Sequence, residues 1–196
     1  FNYFIIMFIQ TEDTPNPATL KFIPGLVLLK TGTLEFKSKK QAEENSLAKQ
    51  LFSENNVKGV FIGKDFLTIT KSDEVEWESL KPSILSTILD FFSSGGEIDS
   101  DPKPKPDLDD TKTKYSKKDL EIVKKINELL DERIKPAVAQ DGGDISFVEL
   151  KNGVVFLELR GACSGCPSST ITLKSGIENM LKYYIPEIVS VEAVNQ

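Results

Sequence analysis

Two cysteines spaced three positions apart are the residues of this chain best suited to chemistry. Cys163 and Cys166 stand in the segment GACSGCPSST and are the only cysteines among 196 residues. Two thiolates at this spacing can bind one metal centre together, and Gly165 lets the loop curl so that both sulfurs point the same way. Pro167 suits the first position of a helix. We therefore expect Cys166 at a helix N-terminus, where the thiolate form that binds metal is favoured.

The number of ligands argues for a site shared between two chains. An iron–sulfur cluster usually takes four thiolates, one chain supplies two, and no histidine is present to complete the set. A complete site therefore needs a second chain, most simply related by a two-fold axis. We expect the loop to lie outside the core, which suits a carrier better than an electron-transfer protein. The small donors expected to reach cluster sulfides are Ser168, Ser169 and Thr170.

Three other interpretations of the cysteine pair stay open on spacing alone. Half of a structural zinc site would also need a dimer, since the chain has no further cysteine or histidine. A Cys-x-x-Cys at a helix N-terminus is also the thioredoxin pattern, but thioredoxins place it after an early strand. The cysteines are also compatible with inert core residues, although Ser164 and Gly165 between them favour a loop.

The composition excludes several classes of function. A net charge of −6 repels phosphate backbones, so we expect no nucleic-acid partner. The lack of histidine removes both the commonest general base and the commonest metal ligand. Two closely spaced cysteines fit a reducing compartment better than a secreted disulfide scaffold. The apolar residues 1–9 predict an initial strand with a ragged end and no membrane association, because a membrane-spanning helix needs about 20 residues.

A stretch rich in proline, glycine and charged residues divides the chain. Residues 93–115 read SSGGEIDSDPKPKPDLDDTKTKY and hold too little apolar surface to offset the entropy of the chain. We therefore predict an α+β fold of two small domains, at residues 7–92 and 116–196, joined by a linker at 93–115. The first domain shows no titratable cluster or phosphate loop, so the chemistry is expected in the second.

The elements of the first domain follow from its apolar periodicity. Ser46 is the expected N-cap of its first helix, and Pro82 fits its second helix only in the first turn. The predicted strands are at residues 8–11, 19–23, 57–62 and 66–70, and the predicted helices at 46–54 and 77–92.

The second domain is predicted to run α-β-β-α-β, which gives a three-stranded mixed sheet with helices on one face. Ser116 caps the first helix, Pro136 and Gly142-Gly143 mark the end of that region, and Pro186 ends the second helix. The expected buried stripes are Val123, Ile126, Leu130 and Ile134 in the first helix and Leu173, Ile177, Met180 and Tyr184 in the second.

Asn152-Gly153 predicts the turn of a hairpin over residues 145–160, since this pair is preferred in type I′ turns. A two-residue turn places three pairs on the buried face: Leu150 with Val155, Val148 with Leu157, and Ser146 with Leu159. The other face then pairs Phe147 with Glu158 and Glu149 with Phe156. The turn at residues 141–144, DGGD, is interpreted as structural rather than as a metal ligand set.

Several blocks of the sequence together resemble one known family. Residues 138–144 (VAQDGGD), the strand pair and residues 161–167 (GACSGCP) resemble the NifU C-terminal-like domain. Residues 7–17 (MFIQTEDTPNP) and 20–25 (LKFIPG) resemble the N-terminal domain of Nfu-type proteins. The two resemblances cover nearly the whole chain apart from the linker.

The resemblance implies a homodimeric [4Fe–4S] cluster carrier that acts late in cluster biogenesis, with Cys163 and Cys166 as ligands. It also implies an upstream scaffold as a partner and apo iron–sulfur proteins as clients. Spacing alone would equally allow a [2Fe–2S] cluster. Nfu proteins occur in bacteria and in mitochondria, and we expect a bacterial cytoplasmic protein, with the mitochondrial matrix as the alternative.

Overall fold

The computed structural model describes residues 8–98, 115–165 and 167–194. The chain divides into two compact units, in residues 1–102 and 103–196, and each has its own hydrophobic core. The first seven residues and most of the linker, at 99–114, lie outside the described residues. The domain bounds 7–92 and 116–196 therefore stay predictions.

The N-terminal unit is a five-stranded antiparallel sheet in the order β1-β2-β5-β4-β3. Its apolar face packs against the helices in one core, with Phe22, Leu67 and Ile84 fully buried. The strands are β1 (Gln10–Asp13), β2 (Thr19–Ile23), β3 (Leu34–Phe36), β4 (Val57–Ile62) and β5 (Leu67–Lys71), and the helices are α1 (Lys39–Ala42), α2 (Ser46–Leu51) and α3 (Trp77–Ser93).

Two expectations for this unit were wrong in detail, and two short elements were missed. Asn45, not Ser46, caps α2, and its side chain accepts a hydrogen bond from Ala48 N at 2.9 Å. Pro82 lies at the sixth position of α3, beyond the first turn, because the helix already begins at Trp77. The short elements β3 and α1 were not predicted, since three or four residues carry too little periodicity.

The C-terminal unit begins with one long helical run. It consists of α4 (Lys117–Leu129), a π-helical segment (Leu130–Ile134) and α5 (Lys135–Gln140). Ser116 caps α4 as predicted, and its hydroxyl accepts from Asp119 N at 3.2 Å. Pro136 does not end the run and lies at the second position of α5, which directly follows the π-helical segment.

The π-helical segment keeps the buried stripe of this run facing the core. The four residues predicted for this stripe are all buried, and three of them, Ile126, Leu130 and Ile134, recur every four positions together with two further buried residues. Each step of four turns an α-helix about 40° beyond a full turn, so such a stripe would drift off the core. The wider π turn corrects that drift. The stripe consists of Ile122, Ile126, Leu130, Ile134 and Val138.

The sheet of this unit has the predicted three mixed strands, which completes the order α-β-β-α-β. β6 (Gly143–Lys151) pairs antiparallel with β7 (Val154–Gly161), and β7 pairs parallel with β8 (Ser190–Ala193). Asn152 and Gly153 both have positive φ, at 52° and 77°, which confirms the tight turn between β6 and β7.

A bulge changes the predicted register of this hairpin. The pairs Leu150–Val155 and Glu149–Phe156 are as predicted, but the register shifts between Phe147 and Glu149. Beyond it, Leu157 pairs with Phe147, Leu159 with Ile145, and Glu158 with Ser146. The expected pairs Val148–Leu157, Ser146–Leu159 and Phe147–Glu158 were therefore wrong. Val148 is the extra residue of the bulged strand and is exposed.

The last helix, α6 (Pro167–Tyr184), follows the cysteine loop. Ile177 is buried as predicted, and Leu173 and Met180 pack partly against the core, whereas the fully buried Leu181 was not predicted. Tyr184 is exposed, and Arg133 lies over its ring at 5.0 Å. No helix among the described residues is long and apolar enough to cross a membrane.

At each edge of this sheet, a side chain accepts a hydrogen bond from an outward-facing backbone N–H group of the edge strand. Tyr115 Oη accepts from Leu150 N of β6 at 3.1 Å. Glu178 Oε2, from α6, accepts from Val191 N of β8 at 3.0 Å. The two side chains thus tie the start of the unit and its last helix to the sheet that positions the cysteine loop.

Candidate functional site

The loop at residues 161–165 joins β7 to α6 and carries Cys163. Gly161 and Gly165 both have positive φ, at 63° and 81°, so each turns the chain in a way that side chains disfavour. Ser164 Oγ donates to the Gly161 carbonyl at 2.9 Å and closes the turn. The backbone turn expected at Gly165 is confirmed, the shared direction of the two sulfurs stays a prediction, and α6 begins at Pro167 as expected.

Cys163 is buried, with 6% of its surface exposed, and it belongs to the hydrophobic core of the C-terminal unit. The expectation that the loop lies outside the core was therefore wrong for this residue. Cys163 lies beyond the end of β7, and its neighbour Ala162 is buried as well, so the turn after Gly161 folds back onto the core instead of continuing the alternation of the strand.

The DGGD turn forms the other wall of the site. Gly142, with φ of +83°, accepts a hydrogen bond on its carbonyl from Ala162 N at 3.1 Å. Gly143 pairs with Gly161 at the end of the β6–β7 ladder. A Cβ atom built on Gly143 would lie 2.6 Å from Cys163 Sγ. The sequence interpretation treated this turn as structural only and missed its contact with the sulfur.

The surroundings of Cys163 favour the neutral thiol. Burial raises the pKa of Cys163 to about 12, and the charges of Asp141 and Asp144 act in the same direction. At neutral pH the iron-free protein therefore holds this residue as a thiol, and a metal that binds here must displace the proton.

Thr170 supports the loop from the helix side. Its hydroxyl is buried and donates to the carbonyl of Cys163 at 3.3 Å, which links the first turn of α6 to the loop. The expected role of this hydroxyl as a donor to cluster sulfide is not tested by this contact. The side chains of Ser168 and Ser169 lie outside the described residues.

Cys166 also lies outside the described residues, so its pairing with Cys163 stays a prediction. Within the described part of the chain, no three His, Cys, Asp or Glu side chains come together to hold a metal ion.

Two family models match the chain, one in each unit. The model described as "Scaffold protein Nfu/NifU N terminal" matches residues 9–95. The model described as "NifU-like domain" matches residues 126–192, which include the cysteine loop. The two appear in the order that the sequence blocks predict.

Curated relatives match nearly the whole chain. A human protein, "NFU1 iron-sulfur cluster scaffold homolog, mitochondrial", is 49% identical over 189 residues, which cover 96% of this chain and 72% of that protein. The protein of the same name from Drosophila sechellia is 50% identical over 189 residues and 65% of its length. The chain thus spans about two thirds of the length of the Drosophila relative.

Two solved structures resemble part of the chain. One is the solution NMR structure of a NifU-like protein from Saccharomyces cerevisiae, with 30% identity and a TM-score of 0.44 over 48% of this chain and 87% of that one. The other is a crystal structure of a Staphylococcus aureus protein, with 19% identity and a TM-score of 0.38 over 42% and 99% of the two chains.

Two findings assign the chain to a family. These are the extent of its match to the human protein and the order of the two domain models. Each of the matched domains corresponds to one compact unit with its own core. The chain belongs to the Nfu family of scaffold proteins.

Proposed function

We propose that this protein is an iron–sulfur cluster scaffold and carrier that holds a [4Fe–4S] cluster on Cys163 and Cys166 of two chains and passes it to apo client proteins. The observation that carries the proposal is the Cys163 loop between β7 and α6, within the segment that the NifU-like model matches. The cluster is cargo rather than a resident cofactor. The protein binds and releases it without catalytic turnover.

The donor set suits an iron–sulfur cluster. Thiolates are the usual ligands of such clusters, and four are needed for a cubane. Two chains with two cysteines each supply that number without a histidine. A homodimer on cluster binding follows, with the cluster as part of its interface.

During cluster loading, the protein itself holds the cysteine loop in place and favours the protonated form of Cys163. Thr170 and the DGGD turn fix the Cys163 backbone from two sides. Because burial and two carboxylates favour the thiol, loading requires transfer of the Cys163 proton to solvent or to a base on the donor. The same preference returns the proton when the cluster leaves, which favours release.

We place the protein in the mitochondrial matrix rather than in a bacterial cytoplasm. The curated relatives named above carry the word mitochondrial in their names, so the comparisons favour this alternative over the expected bacterial location. Its partners there would be an upstream cluster donor and apo iron–sulfur proteins.

We also propose that cluster binding is confined to residues 116–196, with residues 7–92 serving to dock partners. Each unit has a separate core, so each half should fold after cleavage in the linker. Reconstitution of the purified halves tests this division: the C-terminal half should bind a cluster alone. Stoichiometric iron on the N-terminal half would contradict it.

Anaerobic purification with metal analysis tests the proposed function. A cluster protein is brown, with broad visible absorbance and iron and sulfide in equal amounts. Colourless protein with stoichiometric zinc would show a zinc-clamped dimer instead. Colourless, metal-free protein that reduces insulin would show a thiol–disulfide oxidoreductase. Mössbauer spectra of the loaded protein distinguish [4Fe–4S] from [2Fe–2S] clusters.

A further inference from the structure

We infer that Gly143 is a positioning residue for Cys163, whose sulfur packs against the bare backbone of this glycine. The inference rests on the proposed function, because it concerns a sulfur that would bind iron. It assigns a role to the DGGD turn that neither the sequence pattern nor the family match supplies.

Gly143 is needed for proximity and not for backbone conformation. Its φ is not positive, unlike that of Gly142, so a side chain would be allowed by the backbone alone. A Cβ atom at position 143 would instead lie 2.6 Å from Cys163 Sγ and 2.6 Å from the Arg160 carbonyl oxygen. Protein Cβ atoms essentially never approach other heavy atoms so closely, so the sulfur or the strand must shift.

The loop cannot relieve such a contact by moving as a whole. Ala162 N is bonded to the Gly142 carbonyl at 3.1 Å on one side of Cys163. Thr170 Oγ1 is bonded to the Cys163 carbonyl at 3.3 Å on the other side. With the backbone held at both points, the group at position 143 decides where the sulfur lies.

The added methyl group would press on two neighbours, the backbone carbonyl of Arg160 in β7 and the sulfur of Cys163, and the consequence for the site lies in the sulfur. An added methyl group would turn the Cys163 side chain out of its packed position and change the direction in which its sulfur presents a lone pair. Groups that orient metal ligands without touching the metal commonly affect metal affinity by about 10–100-fold. We therefore expect Gly143→Ala to weaken cluster retention by roughly tenfold or more.

Gly176→Ala is the matched control. Gly176 lies in α6 of the same unit, its φ is not positive, and a Cβ there would meet nothing within 4 Å. The wild type, Gly143→Ala and Gly176→Ala are reconstituted anaerobically at full length, and cluster loss to a chelator is followed by absorbance. Only Gly143→Ala should lose its cluster faster. Equal rates in folded Gly143→Ala and wild type would overturn the inference, whereas a wild type that binds no cluster would refute the proposed function instead.

A second readout needs no cluster. In a Cys166→Ser background Cys163 is the only thiol. Added Gly143→Ala should raise the rate of its alkylation in the folded, iron-free protein several-fold, and added Gly176→Ala should not. Unchanged alkylation in the folded Gly143→Ala protein would also contradict the inference.

Should Gly143→Ala fail to fold, a third variant decides. Gly143→Ala/Cys163→Ala removes the sulfur and with it the first of the two short contacts. It should fold, with a stability close to that of Cys163→Ala. Failure of the double variant to fold, beside a folded Cys163→Ala, would show that the contact with Arg160 dominates and that Gly143 does not act through the sulfur.

Discussion

Glu178 of α6 accepts a hydrogen bond from the backbone N–H of Val191 in β8 at 3.0 Å. The same carboxylate is bonded to Lys182 Nζ at 2.6 Å, one turn further along the helix. These two contacts join the helix that follows the cysteine loop to the last strand of the sheet. They also lower the pKa of Glu178, with the hydrogen bond from Lys182 as the larger cause and that from Val191 as the next.

Glu178→Gln should lower the melting temperature at neutral pH and should lose its effect in acid. A carboxyl whose pKa is lowered by folding stabilises the folded state above its ordinary pKa, and this contribution disappears as the pH falls through the folded pKa. Thermal melts of wild type and variant between pH 7 and pH 3 test this. Glu128→Gln, at an exposed helical pair with Lys124, is the control and should change little. A difference that persists unchanged at pH 3 would contradict the explanation.

The thiol of Cys163 should make the iron-free protein less stable in alkali. Because its pKa is raised to about 12, the unfolded chain releases this proton at a lower pH than the folded chain does. The free energy of unfolding should therefore fall as the pH rises above about 9, by at most about 1.4 kcal/mol per pH unit from this group. Urea denaturation of wild type and Cys163→Ser between pH 7 and pH 10 isolates the effect, since other groups titrate in both proteins. Parallel curves for the two proteins would refute it.

Cys163→Ser and Cys166→Ser should each abolish cluster retention. Each change removes one thiolate per chain, or two of the four in a shared site. Cys163→Ser should in addition lower stability, because it places a hydroxyl in the core of the C-terminal unit. Circular dichroism of the iron-free variants separates the two effects, and iron is counted per chain on the folded fraction. A full cluster on either single variant would show that the ligands are wrongly assigned.

Cluster binding and dimer formation should be linked equilibria. Two cysteines per chain cannot complete a four-thiolate site, so a cluster that binds only the dimer draws two chains together by mass action. We expect the iron-free protein to be a monomer or weak dimer at about micromolar concentration, and the loaded protein to be a dimer with about one cluster per two chains. Sedimentation of both forms measures this, and removal of the cluster with a chelator should reverse the change. A loaded monomer with a complete cluster would show that other ligands complete the site.

Much of the fold of the C-terminal unit could be predicted because its local signals agree with its packing. The apolar stripe of α4, the cap at Ser116 and the Asn152-Gly153 turn each correspond to a contact in the structure. The register of the hairpin on the side of Glu149 away from the turn could not be predicted. The apolar alternation of one strand does not reveal a bulge until the pairing with the partner strand is known. The full burial of Leu181 beside a partly buried Met180 depends on how α6 lies on the sheet, which periodicity does not determine.

The candidate site was predicted only from the spacing of its two cysteines. The residue types at Cys163 and Cys166 indicate a metal centre, and Gly165 and Pro167 indicate how the loop turns and where the helix begins. The close approach of Gly143 to Cys163 could not be foreseen. Gly143 begins β6, which has nine residues, and Cys163 follows β7, which has eight, so the two residues meet only once the whole hairpin has formed. Two adjacent glycines at positions 142–143, of which only the first needs positive φ, were the signal that was available.

The side chains on the outward N–H groups of β6 and β8 bear on how copies of this protein meet. An edge strand with free N–H groups is a template on which another chain can add a strand, and repeated addition leads to fibres. Tyr115 occupies one such group at Leu150, and Glu178 occupies another at Val191. The proposed function requires the protein to meet a second copy and its clients, and these two contacts make association through continued sheet growth less favourable. Association then takes place through surfaces other than the sheet edges, from which partners can dissociate again.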